Sequence, residues 1–246
     1  MSDAFRTTRW SVVSAAGRWR AGAGGDEARA ALGELIEAYW PPLYAYARRR
    51  GAGPEAAADS VQGFFARLVE KGGLAAENDG RGRFRAFVLR AFQHHCANEH
   101  ARSHAQKRGG GHAPISLEAG SLEREERAVH EWKELGSTET PERSFERRWA
   151  LQVMQRALAR LGLEQDRAGR GELFAPLRPH LAPGGEPPSH AEVAALVGTS
   201  EGAVKVALHR LRRRYGELVR EEVAGTLTDP AEVDAELGDL LAALGD

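Results

Sequence analysis

Apolar residues recur three and four positions apart along nearly the whole chain, and sustained apolar/polar alternation is almost absent. That is the period of one helix face, not of a half-buried strand. Ala, Leu, Arg and Glu, all good helix formers, fill the positions between. The expected fold is all-α. Gly and Pro then divide the helices. A first helix should follow Gly22–Gly25 and run to Trp40, break at Pro41-Pro42 and continue to Arg50, with a turn at Gly51 and Gly53. Pro54 suits a first helical position, and Val61, Phe64, Phe65 and Leu68 then share one side until Gly72-Gly73. A third helix, from Phe84 to about Lys107, should turn Phe84, Phe87, Val88, Ala91 and Phe92 inward.

Beyond Gly109–Gly111 the chain becomes acidic, with seven Glu between Ser116 and Glu139 against Arg124, Arg127 and Lys133. This composition reads as a solvated tether, in which Leu122, Val129, Trp132 and Leu135 suffice for at most a short docking helix. Thr140-Pro141 opens the next helix, with Phe145, Trp149, Val153, Leu158 and Leu161 inward. A helix near Glu172–Leu181 precedes a loop of Pro and Gly from Pro183 to Pro188. From Thr226 onward there are six acidic residues and no Lys or Arg. There Asp229-Pro230-Ala231-Glu232 predicts a capped helix with Val233, Leu237, Leu240, Leu241 and Leu244 on one face. The expected organisation is an N-terminal extension (1–25), a helical domain (26–108), a linker (109–139), a second helical domain (140–224) and an acidic amphipathic tail (225–246).

Whole-chain charge is uninformative, since 34 Lys plus Arg meet 35 Asp plus Glu. Its distribution is the informative quantity. No apolar run is long enough for a membrane-spanning helix, and Met1–Arg20 lacks the apolar core of a secretory leader. The single cysteine, Cys96, excludes an intramolecular disulfide framework and fits a reducing compartment. A cytoplasmic location and no membrane partner are expected.

The strongest local signal lies in Ser189–Arg214. Ser189-x-x-Glu192 forms a capping box at a helix start, and Gly198 permits the positive φ of a tight turn. Ser200 then caps a second helix. The first helix is expected to bury Val193, Ala194, Leu196 and Val197, and the second Val204, Ala207, Leu208 and Leu211. Small Ala194 lets the two approach where they cross. This is the pattern of a helix-turn-helix, whose second helix enters the major groove. Its outer face carries Glu201, Lys205, Val206, His209, Arg212 and Arg213. Lys205 is the expected donor to base edges, and Glu201 a match for a cytosine amino group. Arg210, Arg212, Arg213 and Arg214 supply attraction to phosphates. A second basic stretch includes Arg81, Arg83, Arg85, Arg90, Arg102, Lys107 and Arg108, with Phe84, Phe87 and Phe92 among them. Basic charge beside aromatics suits single-stranded nucleic acid, although helical spacing makes these rings core.

Three segments, in this order, resemble the extracytoplasmic-function group of bacterial RNA polymerase sigma factors. Pro54-Glu55-x-x-x-Asp59-x-Val61-Gln62-x-Phe64-x-x-Arg67-Leu68 is similar to that family's polymerase-binding helix in its region 2 domain. Phe84-Arg85-Ala86-Phe87-Val88 is similar to the start of its promoter-melting helix, and Ser200-Glu201-Gly202-Ala203-Val204-Lys205 to the recognition helix of its region 4 domain. Gly63 stands where that family usually has an acidic residue, and Asn98 where Asp is common. The resemblance implies a first domain that binds core RNA polymerase and opens the minus-ten element, and a second that reads the minus-thirty-five element as duplex. It assigns Asp59, Gln62, Phe64 and Arg67 to the polymerase face and Arg85, Arg90, His94, Asn98 and Arg102 to the opened strand. Ser200, Glu201, Lys205, Val206, His209, Arg210, Arg212 and Arg213 fall to the upstream duplex. Core polymerase and promoter DNA are then the expected partners. Control is left open between an anti-sigma protein or other regulator, phosphorylation, and an acidic tail that covers a basic DNA-binding face until polymerase engages.

Catalysis is not expected, nor a cofactor. Gly109–Gly111 does not continue into the Lys-Ser/Thr of a phosphate loop. Cys96, His100 and His104 stand four apart, and a straight helix does not bring all three to one metal ion. The competing expectation is a stand-alone helix-turn-helix transcriptional regulator whose first domain binds a ligand or dimerises.

Overall fold

The computed structural model describes residues 25–70, 83–105, 126, 139–182, 187–227 and 229–245. Within them the chain is all-helical and contains no strand. None of the described helices is long and apolar enough to cross a membrane. The helices are α1 (Gly25–Arg49), α2 (Pro54–Glu70), α3 (Phe84–Ala105), α4 (Pro141–Arg167), α5 (Gly171–Leu177), α6 (His190–Val197), α7 (Glu201–Ala224) and α8 (Val233–Gly245). Short 3-10 turns follow α5 and precede α8. The N-terminal extension up to residue 24, most of the linker and the tip of the Pro/Gly loop lie outside the described residues.

The chain divides into two compact units. One takes the chain up to Leu151 and again from Gly225, and the other takes Gln152–Ala224. The division therefore falls inside α4, and the acidic tail groups with the first unit instead of standing apart.

In the first unit, α1 runs unbroken through Pro41 and Pro42 where a break is expected. Each proline removes one backbone hydrogen bond, so a local rule predicts an end there. Burial overrides it: Leu35, Ala38, Tyr39, Trp40, Leu43, Tyr44 and Ala45 are nearly inaccessible on both sides of the pair. Gly51, at φ 94°, turns the chain into α2, whose first position is Pro54 as expected. The core between α1, α2 and α3 is aromatic. Tyr39 meets Phe84 edge-on at 5.3 Å, Trp40 stacks on Phe65 at 6.4 Å, and Phe64 meets Phe92 edge-on at 5.4 Å. His95 is buried on Phe64 and Phe92, with Nε2 3.5 Å from a Glu99 carboxylate oxygen. Phe87, expected inward, is only half-buried.

Of the acidic stretch Glu126 and Glu139 are described, and Glu126 is docked and not solvated. It accepts a hydrogen bond from the Tyr44 hydroxyl and is held by Arg48 through Nε at 2.7 Å and Nη2 at 3.2 Å. Burial, with the Glu126 carboxylate second, pushes the Tyr44 phenol well above its ordinary range.

In the second unit Leu158, Leu161, Phe174, Leu177, Val193, Val204, Leu208 and Leu218 form one core. Charged residues tie α4 to α7 along the rim. Arg160 reaches Glu222 at 2.8 Å and Glu221 at 2.6 Å. Arg214 holds Glu164 at 2.7 and 2.9 Å. The Tyr215 hydroxyl donates to the Met154 carbonyl at 3.2 Å, and burial pushes that phenol up to about 12.

Candidate nucleic-acid interface

The helix-turn-helix assembles from local signals that each perform as their chemistry requires. The Ser189 side chain accepts from the Glu192 N–H at 3.2 Å, and Glu192 returns a carboxylate to the Ser189 N–H at 2.7 Å. Two otherwise orphaned donors at the start of α6 are thereby satisfied. Gly198 ends α6 at φ 67°, ψ 38°, the left-handed region that disfavours side chains with a Cβ. Its N–H and that of Thr199 both turn back to the Ala194 carbonyl. Ser200 then accepts from the Ala203 N–H at 3.2 Å, starting α7.

Val193 and Ala194 are buried against α7, and Val197 is half-buried. Leu196, expected inward, is 74% exposed. At 100° per residue it points about 110° away from the centre of the face made by Val193, Ala194 and Val197, so apolar character alone misplaced it. On α7, Val204, Leu208 and Leu211 are buried, and Ala207 is half-buried.

This packing presents the other side of α7 to solvent. Ser200, Glu201, Lys205, Val206, His209, Arg210, Arg212 and Arg213 are all exposed. From Glu201 to Arg213 they cover about 18 Å of helix, a length that a major groove accommodates. Lys205 Nζ lies 2.7 Å from the Glu201 carboxylate, one turn earlier. Hydrogen bonding to Lys205 holds the Glu201 carboxyl below its ordinary range. Arg213 pairs with Glu217 at 3.2 Å while remaining 80% exposed. Exposed pairs of this kind exchange readily for other partners. Arg214 differs from its neighbours. Its guanidinium is committed to Glu164, Glu217 and Glu221, which raise its already high pKa, so it braces the unit and does not reach outward.

The residues assigned to an opened strand lie along α3. Arg90, His94 and Asn98 are exposed and follow one another at helical spacing. The Arg102 side chain lies outside the described residues, as do those of His100 and His104. Arg85 is buried at 5% exposure. It meets Glu236 through Nε at 2.5 Å and Nη2 at 3.1 Å, pairs with Glu146, and lies 4.8 Å over the Trp149 ring. As the chain is folded here, Arg85 is a brace with no face toward a strand. Phe84 and Phe92 are fully buried, so they are core and not base platforms.

Of the residues assigned to a polymerase face on α2, Asp59 is exposed, and Gln62 and Arg67 are half-buried. Phe64 is 5% exposed, inside the aromatic core. Its ring packs on Phe65, Phe92 and His95. Cys96 is half-buried, and burial pushes its thiol up to about 11, away from reactivity.

The acidic tail supplies residues that sequence reasoning missed. Asp229 caps the Ala231 N–H at 2.8 Å and α8 follows. Its buried stripe is Val233, Glu236 and Leu240, whereas Leu241, expected on one face with Val233 and Leu240, is 66% exposed. Glu236 stands three residues after Val233 and four before Leu240, so spacing alone put a carboxylate in the apolar stripe.

Compared with protein-family models, curated proteins and solved structures, the chain matches none of them.

Proposed function

We propose that this protein is a promoter-recognition subunit of the sigma-factor type, which brings core RNA polymerase to defined sites and opens the duplex there. The reading is carried by the α6–Gly198–α7 helix-turn-helix, with its capping box, left-handed turn and second cap, and by the exposed basic face that this packing leaves on α7. The order of the three sequence segments similar to extracytoplasmic-function sigma factors supports the polymerase half.

In duplex recognition Lys205 leaves Glu201 and donates to guanine O6 or N7, freeing Glu201 to accept from a cytosine amino group. Val206 meets a thymine methyl. His209, Arg210, Arg212 and Arg213, further along the helix, contact phosphates and fix register. In the first unit, Arg90, His94 and Asn98 line an exposed track on α3 for a displaced strand. Captured unstacked bases offset melting by roughly 1 to 3 kcal/mol each, so opening needs no fuel and no catalytic group.

The test is a pull-down of purified core polymerase together with duplex binding by the same preparation. Both activities are expected. Duplex binding without polymerase binding would replace this reading with a stand-alone transcriptional regulator.

A further inference from the structure

Gly63 stands in the interior of α2, where glycine offers neither helix propensity nor a side chain to pack. The segment similar to a polymerase-binding helix departs there from the family it resembles. Asp59, Gly63 and Arg67 follow one another four residues apart, so they share one strip of the helix, and the middle of that strip has no side chain. The space above it is filled from α3. A Cβ at position 63 would lie 3.7 Å from a Glu99 carboxylate oxygen and 3.5 Å from His95 Nε2.

The two α3 residues divide the work. His95 is buried on Phe64 and Phe92, and its Nε2 lies 3.5 Å from a Glu99 oxygen. Glu99, one turn later, keeps its side chain 41% exposed. A ring fixed in the aromatic core thus sets where the carboxylate reaches the surface. That place is over Gly63, one turn or about 6 Å along α2 from the exposed Asp59. The distances at position 63 are those of ordinary van der Waals contact, so a methyl group fits there and a longer side chain meets the carboxylate. The strip therefore runs Asp59, Glu99, Arg67, with its middle charge supplied by the neighbouring helix.

We infer that Glu99 is a further polymerase-binding residue: from α3 it replaces the side chain that α2 lacks at Gly63, and with Asp59 it meets a basic surface of core polymerase. His95 is its positioning residue. The inference rests on the proposed polymerase-binding role of α2 and adds a contact that no residue of α2 makes. The partner's chemistry follows from the charge, since two partly exposed carboxylates one turn apart complement Lys or Arg side chains. Exposed pairs of this kind contribute modestly and are screened by salt, so Glu99 acts on affinity and its salt dependence and is not an all-or-none contact.

The experiment measures capture of purified core polymerase by the labelled full chain over a salt series. Glu99→Gln keeps the shape of a partly exposed side chain, and a circular-dichroism melt verifies the fold. It should weaken capture about two- to fivefold at low salt, with the difference closing as salt rises. Glu99→Lys should weaken capture further. Adding Gly63→Glu to Glu99→Gln returns the charge to α2 and should restore capture, a rescue that a merely structural Glu99 does not allow. Glu172→Gln, which removes an exposed carboxylate of the second unit, should capture as wild type does. Duplex binding through α7 should be unchanged throughout. Folded Glu99→Gln and Glu99→Lys proteins that capture polymerase as wild type does would overturn the inference and leave Glu99 a surface carboxylate beside His95. A loss that Gly63→Glu fails to restore, in a protein with the wild-type melt, would overturn it as well. Both of those outcomes keep the sigma-type reading, because wild type still captures polymerase. Absence of capture by wild type itself removes that reading and the inference with it.

Discussion

Arg214 grips the Glu164 carboxylate with two guanidinium nitrogens, at 2.9 and 2.7 Å, across fifty residues of sequence. Next to it Arg213 stands 80% exposed. Two adjacent arginines of one basic run therefore have different work. Arg213→Ala should weaken every duplex alike and lower the salt slope of binding by about one. Arg214→Ala should leave that slope unchanged and lower stability by about 1 kcal/mol, since the pair is partly solvated. Fluorescence anisotropy over a salt series, with thermal melts of both variants, checks the distinction.

The same pair sets an acid limb. Hydrogen bonding to Arg214 holds the Glu164 carboxyl below its ordinary 4.5. A group whose folded pKa is depressed contributes stability above its unfolded value, and that contribution is lost as pH falls through the folded pKa. The second unit should therefore melt progressively earlier below about pH 4.5. The Arg214→Ala variant should show a shallower decline over the same interval, which a pH series of melts measures.

Lys205 and Arg213 separate reading from holding. Lys205→Ala should relax the preferred base at one upstream position, with a penalty of about 1 to 3 kcal/mol lost there. Selection from a randomised duplex pool reads that position. Identical specificity profiles for Lys205→Ala and Arg213→Ala would contradict the groove geometry.

Phe64 and Asp59 separate core from surface on α2. Phe64→Ala removes a buried ring packed on Phe65 and Phe92 and should cost about 3 to 5 kcal/mol, abolishing cooperative unfolding of the first unit. Asp59→Ala should keep the wild-type melt and weaken only polymerase capture. Calorimetry paired with the pull-down tests both.

How much was legible in the sequence follows from the range of each signal. Ser189, Glu192, Gly198 and Ser200 act on backbone groups within a few residues, so the turn and both caps were readable and formed as read. Pro41-Pro42 misled because a local rule met a buried helix, and packing won. Phe64 carried two incompatible readings, a core stripe with Val61, Phe65 and Leu68 and a partner face by resemblance, and the stripe describes where its ring lies. The Arg85–Glu236 pair was illegible for a different reason. Its members are 151 positions apart, and an acid in a tail of net negative charge reads as a solvated face. Only its place between Val233 and Leu240 marked it. The residues joining the units' elements in sequence were readable as composition alone, and of the acidic stretch only Glu126 and Glu139 are described.

The most direct measurement is transcription in vitro by purified core polymerase on a library of duplex promoters, with and without this protein. Addition of the protein should produce transcripts from a defined start, downstream of a shared upstream element whose preferred base changes with Lys205→Ala. Failure to direct initiation from any site, by a preparation that still binds duplex DNA, would contradict the account.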